Sequence, residues 1–487
     1  MINRLLNSKI IFYIIFVFCI TLLYMMSHKF GMIQIGGFDH SAMIDTIWRL
    51  QHYENYKDFF NPFPPGFYLP LEWAFRYLSI SWESIVKINS IFGVITSIVI
   101  FTLLYIINKN KYESLALTLI FQSVSVLYIS YFWYSSLTAI ILVIYGLSVI
   151  YFIKEYRFHK VIFIVGIGLL SLVKPNMAAF ALLSTITLLL FYYKNKFTVI
   201  YSILASILLV SMFLLLNHIN PFDVLHTYLS LAGRGLPNPL QLIRDQRIED
   251  IEIYLLQLSI VLMPILYLLK KNIFKNNLVA KISIIFIVTG FYGMMTNFEA
   301  KEVEFPIIIL GVYFLIKDND FPYLKDFIIF IFIIFISFGV VFGYKRDRVR
   351  MIGGFDKNTV KVIDTKSFFN NVKVGVTFNN IEKEIKIFLA NNKNKKIFFG
   401  PRLELNYTVF NLIPSKNTAI WWHPGTAFPK SKEAEYFNNI LVADFDYLIF
   451  LKNDFTYYSD DEVNTLKASF DEIHGFEYLT IFKRKNY

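Results

Sequence analysis

Charged side chains are scarce in this chain, and where they gather is where chemistry is expected. Between the first apolar run and the next, residues 27 to 84 hold Asp39, His40, Asp45, Glu54, Asp58, Glu72 and Glu83. A carboxylate at a membrane surface, within hydrogen-bond reach of a hydroxyl, can act as a general base. Asp39 follows Gly36 and Gly37 at the entrance of this segment and is the first candidate, with His40 and Asp45 as additional site residues. Asp39 also suits the N-cap of a helix starting at His40, where Asp is favoured and the glycines supply a flexible approach. The two roles need not exclude each other. Lys174 in "LVKPNM" is an ionisable group at an apolar helical break. Such a group defaults to a functional hypothesis, beside the alternative of a snorkelling anchor near a helix end. Arg234 lies between glycines in "LAGRGLP", where a guanidinium can meet phosphate with bidentate geometry. Arg244 and Arg247 in the same segment read better as solvated charges. Glu299, Lys301 and Glu302 are explained as well by local ion pairs as by substrate contacts.

Metal-binding signals are weak. His40, His52, His218 and His226 show no recognised ligand spacing, and no zinc motif is present. Walker-type and dinucleotide-binding glycine patterns are absent too, which argues against nucleotide-driven pumping. "GGFD" occurs at 36 to 39 and again at 353 to 356, a match too short to carry an argument.

The elements that must position these residues are read from composition. Of 487 residues, 56% are hydrophobic and only 17% charged, against the roughly 25% charged of a soluble domain. The apolar residues form blocks at 10 to 26, 85 to 107, 114 to 131, 135 to 153, 161 to 173, 177 to 193, 198 to 216, 252 to 269, 282 to 297, 305 to 316 and 327 to 344. Most are long enough to cross a hydrocarbon core, which needs about 20 residues as helix. The expected fold is therefore a polytopic α-helical membrane protein with about 11 transmembrane helices over residues 1 to 344. The net charge of +11 sits largely in short clusters flanking the apolar blocks, which points to membrane orientation and not to nucleic acid. Cys19 is the single cysteine, so no intrachain disulfide forms. The first block has no small-x-small cleavage site after it and is read as an uncleaved span.

With basic clusters taken as cytoplasmic, "NKNK", "KEYRFHK", "KNK", "KKNIFKNNLVAK" and "KDNDFPYLK" all fall on the side of the N-terminus. Residues 27 to 84, 217 to 251 and 298 to 304 then lie outside, together with the C-terminal part. The stretch 161 to 193 is read as two helices broken at "KPN", because a single helix would run roughly 50 Å against a core of about 30 Å. Proline disfavours helix at the residue before it, which puts Lys174 at the break. Within the first outer segment, residues 40 to 53 carry Met43, Ile44, Ile47, Trp48 and Leu50 on one helical face, predicting an amphipathic helix in the interface. "NPFPPGFYLP" turns the chain into a second interfacial helix, "LEWAFRYLSI". From 345 to 487 the apolar blocks stop. Short runs such as "KIFFG", "YLIFL" and "YLTIF", with a helical candidate at "SDDEVNTLKASFDEI", predict an extracytoplasmic α/β domain. Trp421, Trp422 and His423 offer either a carbohydrate-stacking surface or, better, a packed aromatic core beside a Pro-Gly turn.

"FDHSAMIDTIWRL" followed by "FPPGFYL" resembles the first extracytoplasmic loop of the GT-C superfamily of glycosyltransferases, which includes protein O-mannosyltransferases and lipid A aminoarabinose transferases. The sequence likeness covers about 30 residues, and the span layout and outer domain extend it as architecture. The resemblance implies a polyprenyl-phosphate sugar donor, a hydroxyl acceptor on a glycan, lipid or protein, and a bacterial plasma membrane location. It also implies that Asp39 is the catalytic base and that a basic residue near the middle spans, here Lys174, contacts the donor phosphate with Arg234. The family's Asp-Glu pair is Asp39-His40 here, which leaves open the second acid and any divalent metal built on it. Two other readings differ in what they require. An O-antigen polymerase or ligase would concentrate basic residues in one large outer loop. A lipid-linked glycan flippase or other transporter would carry polar residues through the spans and weak internal symmetry.

Overall fold

The structure is a computed structural model that describes residues 9–33, 38–127, 130–231, 277–296, 305–318, 323–344, 349–351, 354–356 and 358–485. It is mostly helical, with a small C-terminal sheet region. Among the described residues, five helices are long and apolar enough to cross a membrane: Lys9–Gly31, Trp82–Asn108, Tyr134–Ile153, Pro175–Tyr192 and Lys196–Leu216. His159–Ser171 and Phe305–Lys317 are apolar but shorter, and Leu278–Thr296 and Leu324–Tyr344 occupy two further apolar blocks. The block 252 to 269 lies outside the described residues. One expectation is corrected: 114 to 131 is not a single α-helix, since Lys111–Gln122 continues as a π-helical turn, Ser123–Leu127.

Exposure separates the outer helices from the centre of the bundle. Ile14, Val17 and Phe18 on the first helix and Leu204, Ile207 and Leu208 on Lys196–Leu216 are more than half exposed. Apolar faces of that size are costly in water and compatible with a bilayer. Tyr134–Ile153, by contrast, is buried almost throughout and is the centre of the bundle. Close packing uses small residues there: a Cβ at Gly166 would meet Ser148 Oγ at 2.2 Å. Two polar pairs cross between helices inside the bundle. Asn89 Nδ2 donates to Ser27 Oγ (3.2 Å), and Gln122 Nε2 donates to Thr96 Oγ1 (3.0 Å).

The connections between helices sort to two ends. At one end Lys154 pairs with Asp318 (3.1 Å) and Lys317 with Glu113 (2.9 Å). There too the Tyr193 hydroxyl donates to Glu155 Oε1 (3.1 Å), and the Lys281 ammonium lies 3.5 Å from the centroid of the Tyr192 ring. These are the basic connections that the charge pattern assigns to one side. At the other end, the Lys373 amide donates to the Met32 carbonyl (2.9 Å) and the Trp82 amide to the Phe368 carbonyl (3.0 Å). The first loop and the C-terminal part therefore share one end of the bundle.

The C-terminal part is α/β. Ile397–Phe399 pairs in parallel with Tyr447–Leu451, which runs antiparallel to Leu479–Arg484, itself antiparallel to Phe470–Ile473. All five residues of Tyr447–Leu451 are buried, as a strand covered on both faces requires. Tyr447, Ile449 and Leu451 pack on the side of helix Val376–Asn391; Leu448 and Phe450 pack on the side of Glu433–Val442 and Asp460–Ser469. Ser459 and Glu462 form a capping box at the start of Asp460–Ser469; the helix expected over "SDDEVNTLKASFDEI" stops there, and its last four residues, Phe470–Ile473, form the edge strand instead.

Candidate functional site

The first-loop helix runs Phe38–Leu50. It starts two residues before the expected His40, so Asp39 stands in the first turn and not at the cap before it; its side chain lies outside the described residues. The second helix of the loop, Pro65–Tyr77, begins with proline at its first position and also starts earlier than expected.

The surroundings of Phe38–Leu50 correct the interfacial reading. His40 and the residues from Ser41 to Arg49 are all buried. Met43, Ile44 and Ile47 pack into the helical bundle, as their spacing suggests. Trp48 does not sit at the lipid headgroups. It joins the core of the C-terminal domain, and its Nε1 donates to the Leu412 carbonyl at 2.7 Å. The polar side of the helix is covered by protein where water was expected.

Asp45 is consequently tied up. Its Oδ2 accepts from Arg49 Nε at 2.8 Å in a pair essentially closed to solvent, while Oδ1 is buried with no hydrogen-bond partner. Burial pushes the Asp45 carboxyl up to about 6 despite the opposing pull of Arg49. Arg49 Nη1 reaches on to the Ser415 carbonyl (3.1 Å) and Thr418 Oγ1 (3.2 Å). Asp45 is held inside the protein as the ion-pair partner of Arg49.

His40 is enclosed by rings: Tyr131 at 4.4 Å, Trp133 at 5.3 Å and Trp82 at 5.8 Å between centroids. It fills an aromatic wall that roofs the bundle. Among the described residues no group of three or more His, Cys, Asp or Glu side chains could hold a metal ion. The divalent metal left open by the resemblance has no such donor set among the described residues.

Lys174 lies where the proline rule places it, between His159–Ser171 and Pro175–Tyr192. Its ammonium is 5.7 Å from the centroid of the Tyr134 ring, and its amide donates to Thr138 Oγ1 at 3.4 Å. Tyr134 in turn packs 4.5 Å from Trp133. One wall of rings thus runs from Lys174 through Tyr134 and Trp133 to His40, the neighbour of Asp39. The "PPG" turn docks on the same break: the Gly66 amide donates to the Leu172 carbonyl at 2.8 Å. Only glycine fits, since a Cβ there would lie 2.6 Å from that carbonyl oxygen. Arg234, Arg244, Arg247, Glu299, Lys301 and Glu302 lie outside the described residues.

Glu404 escaped sequence reasoning. It is buried, accepts from Ser41 Oγ at 2.6 Å, and its carboxyl is pushed up to about 8 by burial, with the charge of Asp45 adding to the shift. A cavity of about 10 Å³ lies beside it, lined by Gly400, Pro401 and Trp422 among others. The only sequence signal was an acid inside the apolar "FFGPRLELNY" run. Of the three aromatic candidates, Trp422 is core, stacked 4.5 Å from Tyr458 with its Nε1 donating to the Tyr457 carbonyl. His423 stacks on Tyr457 at 3.9 Å beside an open depression of about 780 Å³.

No protein-family model matches the chain, and no curated protein matches it.

Proposed function

We propose that the protein is a membrane glycosyltransferase of GT-C type, which moves a sugar from a polyprenyl-phosphate donor to a hydroxyl acceptor on the outer face. The supporting observation is the shared wall: His40, beside Asp39 on its helix, packs on Trp133, and Lys174 at the helical break lies by Tyr134, the ring next to Trp133. The "PPG" turn is bonded to that break. A donor of this class keeps its tail in lipid and its sugar phosphate at the interface, where base and cation must both reach it.

In this reading Asp39 takes the proton from the acceptor hydroxyl as its oxygen attacks the anomeric carbon. The anomeric C–O bond breaks, its electron pair leaves on polyprenyl phosphate, and Lys174 with Arg234 stabilises the growing negative charge. A single displacement inverts the anomeric centre. The membrane frame that fits is eleven spans in a bacterial plasma membrane, with the basic end cytoplasmic and residues 345 to 487 extracytoplasmic. The clustering of the basic connections supports that orientation. A direct test incubates the protein in proteoliposomes with radiolabelled polyprenyl-phosphate sugars and a mixed acceptor fraction. Label moving to a hydroxyl with inverted configuration and stoichiometric polyprenyl phosphate is expected. Label that only crosses the bilayer, still lipid-linked, would instead make the protein a transporter.

A further inference from the structure

Helix Phe38–Leu50 touches two bodies with two faces. His40, Met43, Ile44 and Ile47 meet the bundle, while Ser41, Asp45, Trp48 and Arg49, which recur at helical spacing, meet the C-terminal domain. The partners on the domain side fall in one segment, residues 404 to 418. Ser41 Oγ donates to Glu404 Oε2 (2.6 Å) and accepts from the Leu405 amide (3.0 Å). Trp48 and Arg49 donate to the carbonyls of Leu412 and Ser415. Beyond the helix, the Tyr53 hydroxyl donates to the Pro414 carbonyl (2.6 Å), and Asp58 pairs with Lys416 (3.0 Å). These contacts join residues more than 350 positions apart, and the first of them engage the same helical turn as Asp39.

We propose that the outer domain is the clamp that holds the Asp39 helix against the aromatic wall, with Glu404 and Arg49 as positioning residues for that helix. This rests on the reading of Asp39 as that base. A lid would meet the loop only when acceptor is bound; this strap is already seated through buried hydrogen bonds. A displacement of about 1 Å in a reacting group costs on the order of 100-fold in rate, so a clamp with no atom in the reaction still governs turnover.

The clamp carries its own pH dependence. Facing Glu404 are Asp45 from the loop helix, Arg402 in its own segment, Tyr407 one turn on, and Tyr458 from before Asp460–Ser469. Arg49 is already committed to Asp45. The carboxyl keeps its proton to about pH 8, and losing it sets a buried anion near Asp45.

The test uses the full chain in lipid nanodiscs, with two readouts. Amide exchange over residues 38 to 50 reports the clamp whether or not sugar is transferred; turnover and KM for donor report its consequence. Glu404→Ala is expected to speed exchange and to lower kcat by about 10- to 100-fold with little change in KM. Glu404→Gln, which mimics the protonated acid, is expected to restore both and to remove the weakening of docking that the wild type undergoes as pH rises from the ordinary carboxylate range to about 8. Wild-type exchange in Glu404→Ala overturns the clamp. Faster exchange with unchanged kcat overturns its role in positioning. A wild type that opens in the expected way but transfers no sugar leaves the clamp standing and removes the Asp39 reading.

Discussion

Replacing Arg49 by Met keeps the aliphatic bulk and removes the charge, which isolates what the buried pair contributes. In the wild type, Asp45 titrates at about 6, so at pH 7 ionisation favours the docked helix by about 1.4 kcal/mol over a docked helix with Asp45 held neutral. Without the guanidinium the carboxyl can stay buried only as the neutral acid, so the variant loses that increment at pH 7. At pH 5 the wild-type carboxyl is already protonated, and the increment vanishes. The hydrogen bonds from Arg49 to Ser415 and Thr418 are lost at both pH values, at about 1 kcal/mol each. Opening of residues 41 to 50 should therefore become easier by about 3 to 4 kcal/mol at pH 7 and about 2 at pH 5. Amide exchange, as the ratio of variant to wild type at each pH, should show an acceleration about ten-fold larger at pH 7. Equal acceleration at the two pH values would refute the buried ion pair as the source of the effect.

Three further outcomes follow from the same geometry. Gly66→Val should lower transfer sharply while leaving insertion intact, because its side chain meets the Leu172 carbonyl and lifts the "PPG" turn from the break; wild-type kcat would contradict the docking. Lys174→Gln should reduce kcat more than donor KM, and Lys174→Arg should recover part of the loss, if the cation acts on charge that grows as phosphate leaves. Reporter fusions should give a cytoplasmic signal at Asn195 and an extracytoplasmic one at Lys361; an outside signal at Asn195 would sink the eleven-span orientation.

Apolar length was the most legible property, because a helix that meets lipid needs no pattern beyond uninterrupted hydrophobicity. The break at Lys174 was legible for a local reason, the restriction that Pro175 places on the residue before it. Three strands of the C-terminal sheet were legible from short apolar runs between turn residues, while Phe470–Ile473, whose charged "FDEI" continues a helical pattern, was not. What misled was the first-loop helix. An amphipathic face turned to lipid and one turned to a protein core have the same periodicity, and only the partner distinguishes them: the helix read as interfacial carries Trp48 into the C-terminal core. Glu404 could not be reached by local reasoning at all: Ser41 is its hydrogen-bond partner from 363 positions away. His40 has three ring neighbours, which give an imidazole at that position a packing reason.

In the proposed reaction one carboxylate in the first turn of Phe38–Leu50, that of Asp39, takes a proton from the acceptor. Single-turnover transfer from a radiolabelled polyprenyl-phosphate sugar, with wild type and Asp39→Asn inserted equally in proteoliposomes, tests it most directly. Removing a general base should slow transfer by about 100-fold or more, with donor binding retained. An Asp39→Asn variant that transfers sugar at the wild-type rate would contradict the account.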